Sequence, residues 1–298
     1  MDLKELESCR VCPRECRADR LAGETGICGV AGKDVYIARA ALHFWEEPCI
    51  SGKNGSGTVF FSGCSLHCIY CQNGQISGGI AGRAVSVTEL AEIFLTLQDE
   101  GAENINLVTP THYAVQIREA LLLAKEKGLR IPVVYNTGGY ERTETLKKLA
   151  GLIDIYLTDY KYADGALADR FSNAPDYPET AMRALHEMVR QQPECLLDER
   201  GMMKKGVIVR HLLLPGHVKN AKETIQRLYE AFGDRIYFSL MNQYTPMRDF
   251  PEAPELSRKV TAREYARAVQ KLLDLGVTNA FIQEGETAKE SFIPPFDV

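Results

Sequence analysis

Three cysteines lie close together in one short segment, at Cys64, Cys68 and Cys71, with the spacing Cys-x3-Cys-x2-Cys. Thiolates are soft ligands that select iron–sulfur clusters or zinc. A closed structural zinc site needs a fourth ligand, and the nearest candidate, His67, lies inside the loop and would strain it. The spacing therefore favours an iron–sulfur cluster held by three thiolates, with one iron left open for a substrate.

A second group of cysteines precedes this loop, and four arginines are interleaved with it. Closely spaced cysteines followed by one further along the chain suit a tetrahedral zinc or an auxiliary iron–sulfur cluster, and the spacing alone does not distinguish these two. Buried thiols without metal are the third interpretation. Neighbouring arginines favour the thiolate form. The candidate ligands are Cys9, Cys12, Cys16 and Cys28, with Cys49 as a potential fifth.

Composition narrows the class of protein. The chain has 298 residues, 45% of them hydrophobic and 25% charged, with a formal net charge of -5. This balance predicts a globular protein without a broad cationic face for nucleic acid. No apolar run approaches the roughly 20 residues that a membrane helix needs. The first residues are charged and lack an apolar signal core, so we expect a cytoplasmic protein whose clustered cysteines bind metal rather than form disulfides.

Short apolar runs alternate with helical patterns from residue 57 onward. The runs are nearly continuous in apolar residues, which indicates parallel strands buried on both faces. Two helices begin with capping boxes, Ser86 with Glu89 and Thr261 with Glu264. The pattern predicts an open α/β sheet or a full or partial barrel. The expected strands span 58–61, 105–108, 132–135, 153–157, 207–214, 236–240 and 280–282.

Polar residues follow the carboxyl ends of these runs, where parallel α/β proteins place their active sites. A helix-capping role is the alternative interpretation of His112, and a plain salt bridge is the alternative for Asp159 with Lys161. Glu284 follows the last run, as a candidate site residue or a cap. The residues expected to bind a cofactor here are Thr109, His112, Asn136, Thr137, Asp159, Lys161 and Arg210.

The cysteine loop resembles that of the radical S-adenosylmethionine (SAM) superfamily, because Cys-x3-Cys-x-aromatic-Cys directly follows the first strand and Tyr70 fills the aromatic position. The resemblance implies a partial (β/α)6 TIM-like barrel and a 4Fe–4S cluster on Cys64, Cys68 and Cys71. It implies that SAM chelates the open iron and that Tyr70 lies beside its adenine. Reductive cleavage of SAM would then give a 5′-deoxyadenosyl radical that abstracts a hydrogen atom.

Further motifs resemble those of glycyl-radical-enzyme activases of the pyruvate formate-lyase activating type. Asp159-x-Lys161 is similar to their Asp-x-Lys motif near the methionyl end of SAM, and Asn136-Thr137-x-Gly139 to their Asp-Thr-x-Gly turn. Arg210, which precedes the apolar run that ends in Pro215-Gly216, resembles the arginine of their Arg-apolar-Pro-Gly strand. The chain departs from these activases because residues 109–112, Thr-Pro-Thr-His, replace Gly-Gly-Glu. This segment and the early cysteines also resemble the AmmeMemoRadiSam group.

The resemblance implies a radical SAM oxidoreductase that activates a glycyl radical enzyme and receives electrons from a flavodoxin or a ferredoxin-type donor. Two alternatives stay open: a radical SAM enzyme that modifies a peptide or small molecule, and a metal-stabilised electron-transfer or regulatory protein that cleaves no SAM. No nucleic acid or membrane partner is expected. The predicted organisation is a Cys-rich metal-binding segment at 1–56, a radical SAM partial barrel at 57–284 and a tail at 285–298.

Overall fold

A curved sheet of ten strands forms the centre of the computed structural model, which describes residues 3–283 and residue 296. Glu284 and the predicted tail, apart from Phe296, lie outside the described residues. The strands are β1 (Val35–His43), β2 (Ser56–Phe61), β3 (Arg83–Val85), β4 (Ile105–Val108), β5 (Val133–Thr137), β6 (Ile155–Asp159), β7 (Leu196–Leu197), β8 (Met203–Leu212), β9 (Tyr237–Met241) and β10 (Ala280–Ile282).

The order of the strands confirms the predicted α/β class with a partial barrel. Across the sheet they run β10-β9-β8-β6-β5-β4-β2-β1-β3, while β7 pairs with β8 outside this path. All neighbours from β2 to β10 along the path are parallel. The sheet does not close, because β10 and β3 form its two edges. The carboxyl ends of the parallel strands therefore meet along one curved edge.

Helices cover the outer face of the sheet, and both predicted capping boxes are present. Ser86 accepts a hydrogen bond from the Glu89 N–H, and Glu89 accepts one from the Ser86 N–H. Thr261 and Glu264 form the same reciprocal pair. The helices are α1 (Pro48–Ser51), α2 (Gly74–Ser77), α3 (Val87–Asp99), α4 (Ala114–Glu126), α5 (Thr143–Lys148), α6 (Gly165–Ser172), α7 (Tyr177–Gln191), α8 (Val218–Phe232) and α9 (Ala262–Asp274). None in the described part of the chain is long and apolar enough to span a bilayer.

The segment before β2 takes part in the sheet as well as carrying cysteines. β1 pairs antiparallel with β2, and β3 pairs with β1. The predicted boundary after residue 56 thus falls just inside β2, whose pairing partner β1 lies before the boundary. No strand is expected from the sequence at residues 35–43 and no helix at residues 165–172, because each lies in a stretch with little periodicity.

Residues 44–55, the floor segment, connect β1 to β2 and close the lower end of the curved sheet, where the parallel strands begin. His43 pairs with Ser56, the first residue of β2, so residues 44–55 lie at the amino ends of the parallel strands. In α1, Cys49 and Ile50 pack with buried side chains of β5, β6 and β8. Cys49, the potential fifth ligand of the first cysteine group, therefore belongs to this floor and packs among apolar side chains.

A tight contact aligns the ends of β5 and β6. Gly139 has a φ of +81°, and a Cβ there would lie 2.1 Å from the carbonyl oxygen of Asp159. The Tyr177 hydroxyl lies 2.8 Å from the Gly138 carbonyl oxygen and accepts the Lys161 N–H at 2.9 Å. Both contacts fix where Asp159 and Lys161 leave the sheet.

Gly139→Ala should displace this junction. Gly151 offers a matched control, because its φ is +79° and nothing lies within 4 Å of the Cβ position. We expect Gly151→Ala to lower the free energy of unfolding by about 1 kcal/mol, from backbone strain alone. Gly139→Ala should lower it by about 3 kcal/mol, because overlap with backbone adds to that strain. Urea unfolding followed by circular dichroism measures both, and equal losses would contradict the assigned contact.

Candidate active site

The three-cysteine loop begins where β2 ends and is tied to the preceding cysteine segment. The N–H of Cys64 donates to the Cys28 carbonyl oxygen at 3.1 Å. Hydrogen bonds reach each sulfur: from the Leu66 N–H to Cys64 at 3.4 Å, from the Ser172 hydroxyl to Cys68 at 3.0 Å, and from Ser77 to Cys71. Donors aimed at sulfur stabilise thiolates, so this loop fits an iron–sulfur cluster.

Cluster loading must remove protons from this loop. Burial, together with the neighbouring Cys68 and Cys64, raises the pKa of the Cys71 thiol to about 12. Metal binding supplies the free energy that deprotonates such thiols, and its affinity falls as the pH falls. Binding at neutral pH therefore depends on the metal itself rather than on thiolates formed beforehand.

His67 does not face the cysteines as a fourth ligand. Its Nε2 lies 2.7 Å from the Ile27 carbonyl oxygen, which can only accept, so this nitrogen carries a proton. Within residues 3–283 and residue 296, no three His, Cys, Asp or Glu side chains are grouped so that they could hold a single metal ion. In a cubane cluster, each thiolate binds a different iron, and its ligands are set further apart.

A cavity of about 210 Å³ opens beneath the loop, on the inner side of the sheet. Tyr70 lines it, with its hydroxyl 2.7 Å from that of Tyr162 and its ring edge-on to Phe171. The loop and the carboxyl ends of six parallel strands thus surround one space. The predicted residues that line it are Cys68, Tyr70, Cys71, Asn136, Asp159, Lys161 and Arg210.

Asp159 is held ionised between two cations. Its carboxylate lies 2.5 Å from the Lys161 Nζ and 3.2 Å from the Arg210 Nε. Burial alone would raise the pKa of the Asp159 carboxyl, but these two charges outweigh it and hold the pKa below its usual value. The carboxylate can therefore accept hydrogen bonds from a bound ligand throughout the neutral range.

Glu46 completes this charge network, and the sequence analysis missed it. It rises from the floor segment and lies 3.0 Å from the Arg210 Nη1. It also accepts hydrogen bonds from the amides of Asn106 at 3.0 Å and Asn136 at 3.1 Å. Asn136 in turn accepts a hydrogen bond from Arg210. No local signal marks Glu46, because its partners lie at least 60 residues further along the chain.

Three of the predicted cofactor-binding residues lie away from the cavity lining. Thr137 points to the opposite face from Asn136, as alternation in a strand requires, and donates a hydrogen bond to the buried Glu141. The Nε2 of His112 lies 2.8 Å from the Ser62 carbonyl oxygen, and burial lowers the pKa of His112 to about 3. Thr109 holds a left-handed φ of 60° just after β4. His112 supports the backbone that leads into the cysteine loop.

An open parallel sheet with a thiol loop above its carboxyl-end cavity defines a metal-dependent enzyme of the α/β class. Residues 58–228 match the model of the Radical SAM superfamily, and the chain belongs to that superfamily. It is therefore an enzyme of the radical SAM class. This class implies a 4Fe–4S cluster and SAM as cofactors.

Similar proteins support the fold across most of the chain. An uncharacterized protein of Methanocaldococcus jannaschii, MJ0674, is 28% identical over 274 residues, covering 89% of this chain and 74% of that protein. Streptococcus suis SuiB bound to S-adenosylmethionine is 16% identical with a TM-score of 0.51, covering 76% of this chain and 49% of SuiB. SuiB bound to precursor peptide SuiA gives a TM-score of 0.50 with 16% identity, 73% of this chain and 46% of SuiB. The chain spans about half the length of these solved structures.

Glu46→Gln should destabilise the fold through the loss of a buried charge. The Glu46 and Arg210 side chains are only 9% and 15% exposed. Removing one partner of a buried pair costs about 3 kcal/mol. In the control, Glu255→Gln, the partner Arg170 is 42% exposed, and a loss below about 1 kcal/mol is expected. Urea unfolding compares the two, and a similar small loss for both would show that Glu46 is dispensable.

Proposed function

We propose that Cys64, Cys68 and Cys71 hold a 4Fe–4S cluster and that SAM binds in the cavity beneath them. The observation that carries this proposal is the meeting of the thiol loop with the Asp159, Lys161 and Arg210 network around one space. When bound, the reduced cluster would supply the one electron that splits SAM into methionine and a 5′-deoxyadenosyl radical, which takes a hydrogen atom from the substrate.

The chain's own residues bind and orient SAM. Asp159 stays ionised and offers acceptor oxygens, while Lys161 and Arg210 offer donors to carboxylate or hydroxyl groups. Tyr70 offers an aromatic face beside the cysteines. The floor segment closes the lower end of the cavity, which restricts water and protects a reactive radical.

We further propose a polypeptide substrate, with abstraction from a glycyl residue of a partner enzyme. The Asp159 and Lys161 pair and the Asn136-Thr137-x-Gly139 turn resemble activase motifs, and a structural neighbour, SuiB, binds precursor peptide SuiA. The segment 109–112 in place of Gly-Gly-Glu favours the second candidate, modification of a peptide or small molecule. A flavodoxin or ferredoxin-type donor would supply the electron. A pure electron-transfer protein would have no need of the charged cavity.

The first test is formation of 5′-deoxyadenosine. The anaerobically reconstituted protein should form it from SAM on reduction with dithionite, and the triple Cys→Ala variant at Cys64, Cys68 and Cys71 should form none. Cys195→Ala is the matched control, because this half-buried thiol lies beside β8 and β9, away from the loop. Activity in the triple variant, measured by chromatography, would falsify the ligand assignment.

Asp159→Asn should weaken SAM binding about tenfold or more, because a charged hydrogen-bond partner is lost. Asp198→Asn, at the amino end of the sheet before β8, should leave binding unchanged. A carboxylate with a lowered pKa stabilises the fold above its unfolded pKa of about 3.9, and this contribution disappears as the pH falls through the folded pKa. Because Asp159 stays ionised between pH 8 and pH 5, its titration should cause no fall in the affinity of the wild type for SAM over this range.

Calorimetric titration with SAM measures the affinities of the wild type and of both variants. Equal affinities of Asp159→Asn and Asp198→Asn would remove Asp159 from the site.

Deuterium transfer separates the two substrate classes. The reconstituted protein is incubated with SAM, reductant and the proteome of cells grown on α-deuterated glycine. Deuterium in the 5′-deoxyadenosine, detected by mass spectrometry, is expected for abstraction from a glycyl residue. Increased 5′-deoxyadenosine without deuterium would contradict glycyl abstraction and favour the second candidate.

A further inference from the structure

The four cysteines that precede β1 converge on one side of the cysteine loop. The Cβ position at Gly26 lies 3.3 Å from the Cys16 Sγ and 3.4 Å from the Cys28 Sγ. Cys28 also interacts electrostatically with Cys9, and Cys12 with both Cys9 and Cys28. Four thiols from a 20-residue stretch therefore lie near one another, outside the residues that match the superfamily model.

The backbone around these thiols is held in an unusual shape. Two residues flanking Cys16, Glu15 and Arg17, have left-handed φ values of 40° and 59°. The Arg17 N–H donates to the Cys9 carbonyl oxygen at 2.8 Å, which closes the loop on itself. Left-handed residues other than glycine cost free energy and persist where the surroundings require them. Here they turn Cys16 toward Cys28.

A buried cation adjoins the four thiols, and this is an independent sign of an anionic ligand. Arg20 is 0% exposed, and its Nη1 donates to the His112 carbonyl oxygen at 2.6 Å. Its Nε and Nη2 are buried without a hydrogen-bond partner. Within the described residues it forms no ion pair with a carboxylate, whereas its charge acts directly on the Cys28 thiol. The guanidinium also lies 5.6 Å from the centre of the Tyr113 ring, but this contact adds no negative charge, and a buried cation is costly unless a negative charge lies beside it.

We propose that Cys9, Cys12, Cys16 and Cys28 hold a second iron–sulfur cluster, whose negative charge Arg20 balances. As at the first site, no three of the described side chains are grouped to share a single metal ion, which favours a cluster over zinc. Four thiolates around such a cluster give a net negative charge. The centre is distinct from the one at Cys64, Cys68 and Cys71.

The centre also braces the loop of the first site. The Cys28 carbonyl accepts the Cys64 N–H, and the Ile27 carbonyl accepts the His67 Nε2–H. A Cβ at Gly63 would lie 2.6 Å from the Cys28 carbonyl oxygen, which shows how closely the two segments approach. Metal bound at Cys28 therefore fixes the backbone on which Cys64 is positioned.

Metal content of the full chain tests the proposal. The wild type, reconstituted anaerobically with iron and sulfide, should hold about eight irons, because one cube carries about four. About four irons in the folded wild type would overturn the second centre. The triple Cys→Ala variant at Cys64, Cys68 and Cys71 should keep about four irons.

Removal of the second set is the complementary experiment. Cys9→Ser with Cys28→Ser should lower the metal content by one centre, whereas Cys195→Ala should leave it unchanged. Circular dichroism establishes that each variant is folded. If the double variant does not fold, the iron count in the triple variant decides, and absence of iron from the folded triple variant would refute the site. The test is independent of SAM cleavage, so failure of the proposed function would leave its outcome intact.

The proposal that the charge of Arg20 balances that of the second centre can be tested separately. Arg20→Gln should shift the reduction potential of this centre to a more negative value, because a positive charge beside the cluster is lost. Arg20→Lys should restore most of the wild-type potential. If the Gln variant matched the wild type, Arg20 would not balance the charge.

Discussion

Arg210 cannot be buried inside the sheet without negative charge on both sides of it. Asp159 supplies one carboxylate from the neighbouring strand, and Glu46 supplies the other from the floor segment. A buried guanidinium with a missing partner is strongly destabilising. The position of Arg210 thus couples the end of β6 to a segment that precedes β2, and the shape of the cavity depends on this coupling. Lys161 extends the network towards the cysteine loop.

The cysteine loop depends on the N-terminal segment in a similar way. Arg14 donates to the carbonyl oxygens of Ser65, Ser172 and Asn173, which ties the loop to the end of α6. Backbone hydrogen bonds and arginine side chains add directional contacts to the apolar core that Val11 and Val30 share with Leu66. Directional contacts of this kind fix an orientation more sharply than apolar packing does. The loop is held from two sides.

Local patterns were enough to predict the repeating part of the fold. The strand at 105–108, the capping boxes at Ser86 and Thr261, and the parallel sheet follow from apolar runs and from hydrogen-bonding chemistry within a few residues. Strand β1 and Glu46 could not be found in this way. Their roles arise from pairing with β2 and with Arg210, and contacts so distant in sequence leave no periodic trace. The side of the sheet on which the Thr137 side chain lies follows from strand alternation once the register is known.

The floor segment and the cysteine loop, which bound the cavity from below and from above, are separated in the chain by little more than strand β2. The floor segment, with Trp45 and Glu46, meets the reacting space from below, and the cysteine loop meets it from above. Exchange of His43 and Trp45, with Glu46 kept as the partner of Arg210, would remodel the lower half of the cavity while the upper half kept its ligands. Substrate preference can therefore diverge in one short stretch of the chain, independently of the chemistry that initiates the reaction.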